Sequence, residues 1–405
     1  MLDDTPPGLP RLSPLPYLQA VVRWLRTAEP EVWHWASSAQ ARDEHAEAIR
    51  SDLLKGSYRL DADAHPALHA HCAAAAQRLG LAVPVTLYQG PDTGGTMNAG
   101  LYFLPAEAHI VLTGPLLERL KGPELEAVLG HELSHHLLWS RDDGDFHTAD
   151  RILSGTEADP RAAPSHLQTA RLYRLYTEVF ADRGGAVASG GLDAAVVALV
   201  KTQTGLAEVS AASYLRQADE ICAADAAPSR SHSHPEVFVR ARALRLWCEG
   251  DAQADAWLAG ALEGGLSIDA LDLPGQQQLT ALTRRLVGEL LRPAWLRSDG
   301  MLAHARRFFP DFQPADAADA SLADDIAALP GIHAYVAAVL LDFSVCDREL
   351  DDVPMAAALA LSARLGTDAA YEKLALKSLR LTKRQLNKQR QEAAALLQRT
   401  GERHV

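Results

Sequence analysis

Two histidines and a glutamate stand close together in His131-Glu132-Leu133-Ser134-His135. If that segment is helical, His131 and His135 lie one turn apart on the same face. Two imidazoles so placed can grip one zinc ion, with Glu132 beside them to take a proton from an attacking water. Glu178 and Asp182 are also four residues apart, so their carboxylates face the same way. Glu178 can complete a His-His-Glu set with the fourth position open. Asp182 can accept a hydrogen bond from the far nitrogen of a ligating histidine and fix its tautomer.

These residues need helices beneath them, and the flanking sequence supplies the signals. Pro123 suits a first helical turn, and Glu124 and Glu126 suit the positive end of the helix dipole. Leu125, Val128, Leu129, Leu133 and Leu137 give a broad apolar face, so the predicted helix is buried beside its metal edge. The plain alternative is a core helix whose two histidines are merely hydrogen-bonded. A carboxylate buried between them weighs against it, being costly unless something uses it. Leu172, Leu175, Tyr176 and Val179 mark a second helical stripe under Glu178 and Asp182. With Phe180 it leaves little of that helix for a solvated acidic face.

Together these residues resemble the gluzincin zinc metallopeptidases of the HtpX and CAAX prenyl endopeptidase family. Met97-Asn98-Ala99 ahead of His109-Ile110-Val111-Leu112-Thr113-Gly114 is similar to the family's Asn-Ala element and the strand before its first helix. The run Glu124-Leu125-Glu126-Ala127-Val128-Leu129 resembles the approach to its zinc motif. His234-Pro235, with Arg240 six residues beyond the histidine, resembles its late His-Pro and Arg element. The resemblance spans roughly Ala64 to Leu246 and implies a zinc endopeptidase holding one zinc per chain. It implies Glu132 as general base, His234 as an oxyanion donor, Arg240 in support, and Asn98 and Ala99 at the substrate. Ser134 departs from the family, which usually has Gly there.

The 405 residues suffice for two or three domains, and 48% of them are apolar, with few aromatics. That balance predicts an α+β, predominantly helical chain: a zincin-type domain with a small sheet, flanked by helical regions. The formal charge of −13 argues against nucleic-acid binding. Cys72, Cys222, Cys248 and Cys346 form no Cys-x-x-Cys pair and read as buried free thiols of a reducing, cytoplasmic compartment. Met1 to Pro7 is acidic and Pro-rich, unlike a signal peptide. The longest apolar runs, Ala194 to Val200 and Ala334 to Leu341, are too short to span a bilayer. Cleavage of prenylated tails inside a membrane chamber is therefore not expected, and the substrate is a protein or peptide.

In chain order, the sequence divides into an N-terminal helical region (1–60), a metallopeptidase domain (61–250), a helical connector (251–330) and a C-terminal helical domain (331–405). Tyr17 to Leu25 and Gln40 to Leu54 have helical spacing, with Trp24, Trp33 and Trp35 as packing anchors. Ala67 to Leu79 is a helix whose His69, His71 and Cys72 diverge too far to share an ion. Val83 to Tyr88, Gly100 to Leu104 and His109 to Thr113 read as strands. The loop Gly90 to Gly95 lacks the ending of a phosphate cradle. Asn98 to Leu104 is expected to hold an extended substrate at a free sheet edge, an inner strand being the alternative. Arg141 to Pro164 reads as a crossover with one short helix around Ala149 to Leu153.

Helices of the connector are expected to break at Gly264-Gly265, Pro274-Gly275, Pro293 and Pro310, and Asp316 to Asp325 reads as a linker. Leu341 to Asp352 faintly resembles the acidic turn of TerB-like helical domains, departing from it at Arg348 and Pro354. The basic face of Lys373 to Arg390 balances the acidic remainder or docks a protein partner. The competing functional class is a non-catalytic or latent peptidase-like binding or chaperone module. Its zinc would be structural, or covered by the His234 loop or by residues 141–164. The intact Glu132 weighs against it, since a purely structural site has no use for that carboxylate.

Overall fold

The computed structural model describes residues 9–38, 40–91, 94–224 and 227–403. The acidic amino terminus at Met1 to Pro7 and the tip of the loop between Gly90 and Gly95 lie outside them. The chain forms two compact units, Met1–Gly264 and Gly265–Val405. Helices predominate, with one four-stranded sheet, as the composition predicts.

The first unit begins with α1 (Pro16–Ala28), α2 (Pro30–Ser37) and α3 (Gln40–Gly56). Pro16 and Pro30 start their helices where no N–H is needed. Trp24 and Trp33 pack against a core built on Leu18, Leu25 and Phe180, but Trp35 is 68% exposed and anchors nothing. The indole lies outside the buried stripe of a helix only eight residues long. Next, Tyr58–Arg59 forms β1, not the end of a helix, because it pairs with the edge of the following sheet.

Then come α4 (Pro66–Arg78), β2 (Val85–Gln89), β3 (Asn98–Leu104) and β4 (Glu107–Thr113). The strand order is β1-β2-β4-β3, with β2 and β4 parallel and the other pairs antiparallel. Inner strand β4 buries Ala108, Ile110 and Leu112 completely, whereas β3 has no partner beyond β4 among the described residues and is an edge. That decides between the two expectations for Asn98 to Leu104.

Past α5 (Leu116–Arg119), the His131 segment is α6 (Pro123–Trp139). Gly122 precedes it at φ +49°, which glycine adopts without strain. Its acidic first turn is pinned from outside. Glu124 accepts two bonds of 2.8 Å from Lys201, and Glu126 meets Nδ1 of His71 at 2.8 Å and also pairs with Arg78. His71 is thus engaged away from His69, whose Nε2 lies 2.7 Å from the Leu60 carbonyl. The expected single short helix around Ala149 is α7 (Asp145–Glu157), thirteen residues long. Phe146, Ala149, Ile152 and Leu153 give it a buried face, so the Asp- and Gly-rich composition misled about its length.

α8 (Pro164–Ser189) carries Glu178 and Asp182 and is buried almost throughout its second half. It meets α6 along a seam of small residues. A Cβ on Gly184 would lie 1.7 Å from Oγ of Ser134, one on Gly130 2.1 Å from Cβ of Ala188, and one on Gly185 2.8 Å from the Ala127 carbonyl. Ser134 fits here because Gly184 faces it, and its Oγ donates to the Gly130 carbonyl at 2.6 Å. The unit closes with α9 (Leu192–Thr204), α10 (Ala211–Ala224), α11 (Val237–Cys248) and α12 (Ala254–Leu262).

The second unit is helical: α13 (Leu273–Leu290), α14 (Asp299–Phe308), α15 (Leu322–Ala327), α16 (His333–Val345), α17 (Val353–Arg364), α18 (Asp368–Ser378) and α19 (Lys383–Arg403). Pro274-Gly275 starts α13 and does not break it; the Asp272 side chain accepts from the Gly275 N–H. Asp319 and Asp325 both pair with Arg285, which fastens the segment that composition read as a linker. In the last turn of α16 Asp342 meets His304 at 2.8 Å, and in the acidic turn that follows Asp347 accepts from Ser298. No helix among the described residues is long and apolar enough to cross a membrane. The four cysteines are free thiols, as expected, but only Cys72 is buried; Cys222, Cys248 and Cys346 are partly exposed.

Candidate functional site

The α6–α8 seam brings His131, His135 and Glu178 together, and they are the one such His/Cys/Asp/Glu group among the described residues. Nε2 of His131 lies 3.3 Å from Nε2 of His135 and 3.4 Å from Oε2 of Glu178; Nε2 of His135 lies 3.7 Å from Oε1 of Glu178. A tetrahedral ion with bonds of about 2.05 Å spaces its ligands about 3.3 Å apart, so the three atoms fit one ion. Oε2 of Glu178 is also buried without a hydrogen-bond partner. A buried anionic acceptor left in that way suits a cation.

Asp182, one turn beyond Glu178, is buried and places Oδ1 3.1 Å from Nδ1 of His131. That contact puts the proton of His131 on Nδ1 and leaves the Nε2 lone pair facing the site. Nδ1 of His135 is buried with no comparable partner. Arg240 of α11 donates to Oδ2 and Oδ1 of Asp182 at 2.7 and 2.6 Å, and its Nη2 reaches within 3.5 Å of Oε2 of Glu178. The family resemblance has Arg240 support His234; here both reach Oε2 of Glu178, and Arg240 in addition clamps Asp182. His234 itself is at the rim, 58% exposed, with Nε2 3.5 Å from Oε2 of Glu178.

Electrostatics follow from this packing. Burial opposes ionisation of Glu178, but His131, His135 and Arg240 outweigh it and hold the carboxyl well below the usual range. Burial likewise disfavours charge on His131, yet without a metal Asp182 and Glu178 push it up to about 10, so an ion binding at Nε2 displaces a proton there while Nδ1 keeps its own. Burial raises the Glu132 carboxyl to about 7, against the downward pull of His131, the Leu101 N–H and Arg240. A carboxyl poised near neutrality can both accept and return a proton.

The Leu101 N–H that donates to Glu132 belongs to the free edge of β3. In β4 the Ala108 N–H bonds to the Pro84 carbonyl and the Leu112 carbonyl accepts from Gly90, so residues 108, 110 and 112 turn their backbone toward β2. Their register partners Phe103, Leu101 and Ala99 therefore turn N–H and C=O away from β4. Asn98 faces the other way, its carbonyl accepting from Oγ1 of Thr113 at 3.1 Å. Residues from Thr96 to Leu101 and the His131 to His135 turn line one cleft of about 1170 Å³.

Such a site, on two buried helices beside a sheet edge, has the construction of a metal-dependent hydrolase acting on an extended chain. Residues 64–141 match the model of Peptidase family M48, which supports a metallopeptidase. The match takes in α4, the three longer strands and α6, but stops before Glu178, Asp182 and Arg240. No curated protein and no solved structure matches the chain.

Sequence reasoning missed three features of the cleft. The Leu101 N–H could have been found only by knowing which strand is the edge. Gly184-Gly185, two residues past Asp182, did signal a close helix contact. Trp139, whose ring centroid is 5.4 Å from that of His135, stands one turn beyond the motif and was legible as its neighbour.

Proposed function

We propose that this protein is a zinc-dependent endopeptidase of the gluzincin type, with the HtpX-like ligand set His131, His135 and Glu178, acting on proteins or peptides. The carrying observation is the convergence of the three ligand atoms beside buried Glu132. His131, His135 and Glu178 would hold the zinc ion, which would supply the Lewis acidity that polarises a water and the scissile carbonyl. Glu132 takes the proton of the attacking water and delivers it to the leaving amine. His131 keeps its Nε2 directed at the site because Asp182 holds Nδ1. Arg240 neutralises Asp182 and Glu178, so two buried carboxylates coexist within one turn of α8. His234 donates to the oxyanion from the rim. The outward N–H and C=O groups of Ala99 and Phe103 and the C=O of Leu101 take the substrate as an added strand, the Leu101 N–H being held by Glu132, and Asn98 lines the same cleft.

The test is zinc content and cleavage of an unfolded protein by the purified chain, with Glu132→Gln in parallel. Expected is about one zinc in both and cutting only by the wild type. Zinc in both with no cutting by either removes the catalytic reading in favour of a binding module. Cutting by Glu132→Gln removes Glu132 from its role.

A further inference from the structure

The cleft continues past His135 to a wall that the chemistry above does not use, formed by Trp139, Asp150, Ser154 and Arg174. Asp150 lies on α7, beyond the residues matched by the family model. Its carboxylate makes no hydrogen bond or ion pair among the described residues, although it sits within the field of Arg174 and Glu157. Arg174 pairs with Glu157 instead. Glu157 lies outside the lining of the cleft and takes up Arg174, which leaves Asp150 without an ion-pair partner among the described residues. Nε1 of Trp139 is buried without a partner, and the indole also stands 5.6 Å from the Phe103 ring. A carboxylate without an ion pair and an indole, both lining one cleft, are the chemistry that receives an ammonium or guanidinium.

Direction follows from the strand. Leu101 meets Glu132 and Phe103 meets Trp139, so β3 and α6 run the same way. Antiparallel pairing is the more stable addition to an edge. A peptide so bound enters past Phe103 and leaves past Ala99, which puts residues preceding the scissile bond beside Trp139 and Asp150.

We propose that Asp150 is the floor of a specificity subsite that takes a lysine or arginine side chain on the N-terminal side of the bond to be cut. The inference rests on the peptidase reading for the position of that bond. Burial pushes the Asp150 carboxyl up to about 6, against the opposing pull of Arg174, so it is charged at neutral pH and gains from an incoming cation.

The test uses N-acetylated, C-amidated peptides that differ at one position, scanned along the chain, carrying lysine, norleucine or glutamate. Blocked ends remove the α-ammonium as a competing cation, and one free-amine series restores it. Binding is measured on zinc-loaded Glu132→Gln and cutting on the wild type. Lysine at one position before the scissile bond is expected to bind about tenfold tighter than norleucine, with glutamate weaker than both. Asp150→Asn should abolish that preference and Asp150→Lys invert it.

Equal binding of the lysine and norleucine series at every position overturns the subsite, and so does a gain confined to free-amine peptides. The wild-type series decides even if the Asp150 variants fold poorly. A lysine preference without any cutting keeps the subsite and removes the peptidase reading, whereas cutting without a preference does the reverse.

Discussion

Nδ1 of His131 stands 3.1 Å from Oδ1 of Asp182, a contact made from α6 to α8 at the buried end of their shared seam. One hydrogen bond fixes the ring orientation, the tautomer and the direction of the Nε2 lone pair. Asp182→Asn keeps the shape but loses the charge and half the acceptor capacity. Metal affinity is expected to fall about 10–100-fold, read by competition with a chromophoric chelator. Unchanged affinity would show that the ring is held by packing alone.

Arg240 compensates two carboxylates that packing alone forces together. Arg240→Leu leaves Asp182 and Glu178 without their guanidinium and should cost about 3–5 kcal/mol in urea unfolding. Arg240→Lys restores the charge but not the paired bonds to Asp182, and should lose clearly less. Equal losses for the two variants would mean that the side chain acts through volume and not charge.

The seam tolerates no added bulk at Gly184, where even a Cβ would overlap Oγ of Ser134. Gly184→Val should lower stability by at least about 1–3 kcal/mol and push α6 away from α8, so zinc binding fails with it. The double variant Ser134→Gly/Gly184→Ala returns the lost space and should recover much of both. Zinc binding by Gly184→Val at wild-type affinity would show that the two helices can separate without disturbing the ligands.

Asp150 has a folded-state carboxyl near 6, above its ordinary 3.8, because of burial. The raised value means that the folded state binds this proton more tightly than the unfolded state does. Asp150 therefore costs stability above about pH 6, and the cost fades as the pH falls from about 6 toward 3.8. Asp150→Asn should raise the Tm at pH 7.5 and give a smaller advantage at pH 4.5. A pH-independent difference would place the origin of the effect in packing.

Much of the site was legible because its signals are local. His131, Glu132 and His135 share a face through helix periodicity alone, and so do Glu178 and Asp182. Pro123, the acidic first turn and the leucine spacing mark α6 without reference to the rest of the chain. Alternation and β-branching place the three longer strands within a residue or two. Local signals failed where composition misrepresents burial: Trp35 is aromatic yet exposed, and α7 sits in a stretch rich in Asp and Gly yet has an apolar stripe.

The amino-acid sequence by itself determined the residue types, the helical spacing that presents them and the helical class of the chain, since periodicity and propensity act over a few residues. Only the tertiary structure decided that β3 is the edge, that Arg240 serves Asp182 and Glu178, and that Asp150 faces the cleft with no partner. Each of those depends on groups tens of residues apart, and the distance between such groups is set by how small residues let α6 and α8 approach. No local pattern carries that distance; packing does.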